Sequence, residues 1–117
     1  MSFKTDMERI SKRINASVEE TAGAVKFEAL RSVVEGTRVD TGRAKGSWNV
    51  TQDTPLSGDP VRLDPTGRKT ISEEGEKIEP IGLTFITSNL PYMGKLEELD
   101  GMVVKTVSRI RRILRDA

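Results

Sequence analysis

The sequence predicts an α+β fold: a long N-terminal helix packed on a small, mostly antiparallel sheet, with a C-terminal helix beside it. Three observations predict it. Apolar residues recur every three or four positions over residues 3–34, the period of one helical face. Two short segments, 47–52 and 82–87, carry strand chemistry, by alternation in the first and β-branched and aromatic content in the second. A second helical period follows Gly101. At 117 residues the chain makes one domain, 1–117, with a modest core.

The first helix is marked by Phe3, Met7, Ile10, Ile14, Val18, Ala22, Val25, Ala29 and Val33, with Ser2 as N-cap and Gly36 as stop. At 1.5 Å per residue it would span roughly 50 Å, more than a domain this small covers. Two readings stand: a helix lying across the sheet, or one whose N-terminal part reaches out to a neighbour. Gly23 weakens it by about 1 kcal/mol relative to alanine and is a candidate bend.

Next comes a turn over 39–46, then the strand at 47–52 with Trp48 and Val50 inward. Residues 53–67 are rich in Pro and Gly, and a loop this long in a small domain is expected to be mobile or interface-forming. Val61 and Leu63 within it have no evident core role. Asp64–Pro65 reads as the N-cap and first residue of a weak helix running to about Lys77, anchored by Ile71 and Ile78. The second strand follows. Pro91 then opens a short helix through Leu99, and Asp100–Gly101 breaks it. The last helix places Val103, Val104, Val107, Ile110, Ile113 and Leu114 on one side.

Composition narrows the chemistry. No cysteine means no disulfide, thiol or zinc–thiolate chemistry, and no histidine removes the commonest general base and transition-metal ligand. The residue types point away from an enzyme, and to no catalytic residue, cofactor or metal. Residues 1–6 lack the apolar stretch of a signal peptide, and no apolar run approaches the roughly 20 residues that cross a membrane. A soluble protein made in the cytoplasm is expected. Charge is near balance but uneven: Lys105, Arg109, Arg111, Arg112 and Arg115 face only Asp116 in the last stretch, while Glu73, Glu74, Glu76, Glu79, Glu97, Glu98 and Asp100 gather in the middle. Such polarity suits head-to-tail contact between copies and equally suits a solvated surface.

Two segments stand out, VDTGRAKGSWN (39–49) and ITSNLPYMGKLEE (86–98). Asp40–Thr41–Gly42 is the tripeptide of retroviral-type aspartic proteases, where paired carboxylates share a proton. Here no apolar strand precedes it, Arg43 follows it, and a long helix has no place in that all-β fold. The geometric reading fits better: Asp40 caps a turn through the amides of Gly42 or Arg43, Gly42 permits close approach, Arg43 and Lys45 point out, and Gly46 releases the chain toward Trp48. In the second segment Asn89 suits an Asx-type turn and Pro91 sets the first helical φ. Tyr92 and Leu96 lie one turn apart, and Tyr92 is read as core packing with its hydroxyl hydrogen-bonded rather than as an acid–base group. The cluster Glu73, Glu74, Glu76 matches no metal-loop spacing. The basic last helix suggests nucleic-acid contact, but cations are favoured at a helix C-terminus in any case, and no aromatic residues interleave the arginines.

Taken together, the stretches 39–48, 86–97 and 101–107, in this order behind a long helix, resemble the small neck or tail-completion proteins of tailed bacteriophages, including the minor tail protein Z-like group. The chain departs from that pattern where Glu98–Leu99–Asp100 replaces a Gly-rich, aromatic or Pro-containing insert, and in its short, basic C-terminus. The resemblance implies a virion structural protein, assembled in the host cytoplasm as a homo-oligomeric ring of on the order of six or twelve copies. Such a ring would join connector or head-completion proteins to the tail, with DNA passing through its lumen without sequence-specific binding and no membrane involved. Asp40, Thr41, Gly42, Trp48, Asn89, Pro91 and Tyr92 would shape the fold. Arg43, Lys45, Val61 and Leu63 are the candidate contacts between subunits or with the tail. Arg109, Arg111, Arg112 and Arg115 are the candidates nearest DNA, and on the alternative reading the surface of a nucleic-acid-binding accessory protein.

Overall fold

The computed structural model describes residues 18–39, 42–55 and 62–116. The elements run α1 (Val18–Gly36), α2 (Arg43–Gly46), β1 (Asn49–Gln52), α3 (Arg68–Gly75), β2 (Thr84–Thr87), α4 (Met93–Asp100) and α5 (Met102–Asp116). The fold is α+β, as its sequence pattern implies. The part of the first helix expected over residues 3–17, with its cap at Ser2, lies outside the described residues. Within them the helix runs unbroken through Gly23 and stops at Gly36.

β1 and β2 pair antiparallel, with Asn49 opposite Thr87 and Gln52 opposite Thr84. Leu30, Val33 and Val34 of α1 meet Trp48, Val50, Leu90, Met93 and Met102 in one core, edged by Ile71, Ile78, Ile86 and Leu96. α1 packs chiefly against α5 on one side and α3 on the other. The α5-facing positions, among them Ala22, Ser32 and Gly36, and the α3-facing positions Phe27 and Val34 fall on opposite sides of a helix of 3.6 residues per turn. α5 runs antiparallel to α1: Gly36 lies against Met102, the Ser32 and Thr106 hydroxyls are 2.6 Å apart, and Ala22 packs with Leu114.

Several elements depart from expectation, each for a local reason. Trp48 and Val50 point inward, but Ser47 and Asn49 are buried as well, because α2 and the 62–64 segment cover the other face. β1 is therefore not half-exposed. α3 begins at Arg68 rather than after Asp64, since residues 64–67 turn through Gly67 at φ +79°. β2 begins at Thr84, because Gly82 at φ +92° bends the chain just before it. Pro91 lies in the turn before α4 and not in its first position. Gly101 ends α4 in the left-handed region at φ +62°, and the Glu97 carboxylate accepts the Val103 and Val104 amides, so one residue of α4 caps the start of α5.

The last helix was expected to bury all its valines. Met102, Thr106 and Leu114 are its buried residues instead, with Ile110 partly so. Val103, Val107 and Ile113 are more than a third exposed, and Val104 is 64 % exposed. The apolar arc of α5 is wider than α1 can cover.

Candidate functional site

The two informative segments come together. The amide of Asn49 donates to the Thr87 carbonyl at 2.9 Å, and the hydroxyls of Ser47 and Ser88 lie 2.6 Å apart. The third stretch joins them through Met102 in the shared core and through Asp100, whose carboxylate takes two hydrogen bonds from Arg38 at 2.7 and 3.0 Å. Those bonds hold the Asp100 carboxyl below the usual range. Trp48 is locked at the centre: its indole N–H donates to Thr37 Oγ1 at 2.8 Å, and that hydroxyl donates to the Val33 carbonyl.

The turn between α1 and β1 depends on two backbone close approaches. Gly42 sits at φ +86°, and its carbonyl accepts the amides of Gly46 and Asp64. A Cβ on Gly42 would lie 2.6 Å from Pro65 N, and one on Gly46 would lie 2.1 Å from the Arg62 carbonyl oxygen. Residues 62–67 of the Pro/Gly-rich stretch are therefore docked on this turn. Asp40, Thr41 and Val61 lie outside the described residues. Leu63 is exposed, as an interface residue would be.

Lys45 corrects the outward placement read from sequence. It is only 6 % exposed, and its ammonium donates to the Val34 and Glu35 carbonyls at 2.8 and 3.0 Å. It thus satisfies carbonyls that the end of α1 leaves open. Burial pulls its pKa down, offset in part by Glu35 and Asp64. Arg43 beside it is half-buried and engaged. Tyr92 is also corrected: it is 46 % exposed, because the N-cap position of α4 sits outside the core that Leu90 and Met93 enter. Asn89 is exposed and has a partner.

Sequence reasoning missed a buried polar cluster. Arg62 donates to the Gly46 and Trp48 carbonyls at 3.0 and 2.8 Å, to Glu73 at 2.8 Å and to Glu74 at 3.1 Å. Glu74, 2 % exposed, also accepts from the Val50 amide at 2.9 Å and from Lys77. Burial alone would raise the Glu74 pKa, but Lys77, the Val50 N–H and Arg62 outweigh it and lower it. The same holds for Asp64, where burial is outweighed by the Thr70 amide at 2.6 Å and the Thr70 hydroxyl at 2.7 Å. A signal for Glu74 was present, since it falls between Ile71 and Ile78 on one helical stripe. Arg62 had none. With Glu73 and Glu74 held by Arg62, the acidic cluster serves the fold, and no group of acidic residues suited to a metal occurs among the described residues.

The four C-terminal arginines do not form a uniform surface. Arg109 is bound to Glu28 at 2.7 Å, which staples α5 to α1, and Arg115 is engaged too. Arg111 and Arg112 are exposed, and no ion pair to another described residue holds either. On the opposite flank of α1 an open groove of about 560 Å³ lies against α3, floored by Phe27, Ile71 and Gly75 and edged by Glu35 and Glu76. Among the described residues no helix is long and apolar enough to cross a membrane.

No family model, no curated protein and no solved structure matches the chain.

Proposed function

We propose that this chain is a structural subunit of a tailed-phage neck, acting by assembly rather than catalysis and forming a ring that joins the head connector to the tail around the DNA channel. The observation that supports it is the convergence of the three stretches on Trp48. They close on one another through Ser47–Ser88, Asn49–Thr87 and Arg38–Asp100, so they build a frame rather than present reacting groups. The apolar side chains this frame leaves outside, on α5, are what a subunit of an assembly offers its neighbours.

The test is native mass spectrometry and electron microscopy of the purified protein, alone and mixed with phage tails and connectors. A closed oligomer that attaches at the joint is expected. A stable monomer that joins neither tails nor connectors overturns the reading. DNA contact is the second reading, favoured by exposed Arg111 and Arg112. Replacing Arg109, Arg111, Arg112 and Arg115 together by Gln separates the two: loss of DNA retention with assembly intact supports an accessory DNA-binding role.

A further inference from the structure

We infer that copies of this chain join head to tail, the exposed valine face of α5 in one copy seating in the α1–α3 groove of the next. This rests on the reading of the chain as an assembly subunit and names the two faces that meet.

Val103, Val107 and Arg111 follow one another at four-residue steps, with Val104 beside them, so one exposed stripe of α5 carries three valines and ends in a cation. The groove supplies the complement. Its floor is apolar, made by the partly exposed ring of Phe27 with Ile71 and Gly75, and its rim carries Glu35 and Glu76. Gly75 keeps it shallow enough to enter, because a Cβ there would lie 2.6 Å from the Phe27 ring. Arg31 and Arg68 also line the groove, and Arg31 is neutralised by a two-pronged pair with Glu28. Apolar surface thus meets apolar surface, and Arg111 meets a rim with carboxylates.

Position decides the symmetry. α5 and α3 lie on opposite sides of α1, so one copy carries the two faces on opposite flanks and cannot match them about a two-fold axis through either face. A contact of this kind is heterologous: it closes into a ring or runs on as a filament. The excess of cations on α5 and of carboxylates over residues 73–79 gives the same direction to the encounter.

The chain has no cysteine, so introduced pairs report cleanly. Val107→Cys and Ser72→Cys, both at exposed positions, should give a disulfide-linked dimer when the two single variants are mixed and oxidised, and the doubly substituted chain should give a ladder of higher species. Glu76→Arg should weaken association at least ~tenfold, and adding Arg111→Glu in the same chain should restore it, because each copy then carries both reversed faces. Val107→Cys linking to itself and not to Ser72→Cys overturns the proposal, as does assembly in which the mixed pair never links, or a chain that stays monomeric. Cross-linked rings that ignore tails and connectors would uphold this interface while overturning the head–tail role.

Discussion

Arg62 and Glu74 together close the outer edge of β1. Arg62 donates to the Trp48 carbonyl and Glu74 accepts the Val50 amide, while the two side chains bond each other at 3.1 Å. These two backbone groups point to the same side of an extended chain, so the ion pair stands where a third strand would be. Neither charge is free to leave without stranding a backbone group in the core. Glu74→Ala should therefore cost about 3–5 kcal/mol, the range for breaking a buried pair. Arg62→Met with Glu74→Leu should cost clearly less than the sum of the single changes. Urea unfolding of the four proteins measures both, and strict additivity would refute the coupling.

The same carboxylates set an acid limit. Glu74 and Asp64 have folded pKa values below their ordinary ones. Their contribution to stability is complete above the unfolded-state values of about 4 and is lost as pH falls through the lower folded values. Stability should thus hold from neutral pH to about pH 5 and then decline. In Glu74→Gln and Asp64→Asn the decline should flatten while stability at neutral pH is lower. Unfolding midpoints measured across acid pH decide this.

Lys45 should behave as a helix cap and not as a surface residue. Lys45→Met removes its bonds to the Val34 and Glu35 carbonyls and should cost about 1–3 kcal/mol. Thermal unfolding with a helix-sensitive signal checks it. A loss of association without a loss of stability would return Lys45 to the interface.

Two glycines should respond with opposite signs. Gly46→Ala puts a methyl group on the Arg62 carbonyl and should cost about 3 kcal/mol or more, or prevent folding. At Gly23 a Cβ meets Pro80 at an ordinary 3.7 Å, so Gly23→Ala should gain up to about 1 kcal/mol of helix propensity. Melting temperatures of the two variants report the contrast.

What was legible in the sequence was what depends on neighbours along the chain. Alternation placed Trp48 and Val50 inward, and Gly36 and Gly101 marked helix ends, because period and backbone freedom are local properties. The face of α5 was not legible in the same way. Counting apolar residues finds a stripe but not how much of it another helix covers, and α1 covers only the side of Met102, Thr106 and Leu114. Lys45 was misplaced because its partners are carbonyls of an earlier helix, which carry no letter of their own. Arg62 and Glu74 meet through a contact with β1 that no spacing announces. The candidate site was read in part: the motif residues Gly42 and Trp48 do shape the fold, whereas Tyr92 stands outside the core.

The closed edge of β1 has a further consequence. An unpaired strand is a template on which any stray extended chain can crystallise into fibrils, and proteins that spend their lives at high local concentration meet that hazard constantly. Because Arg62 and Glu74 already occupy the Trp48 carbonyl and the Val50 amide, this strand offers an intruder nothing to bond. The ion pair thus works as a guard as well as a fastening, and its loss would expose the chain to fibrillation even at concentrations where the rest of the fold survives.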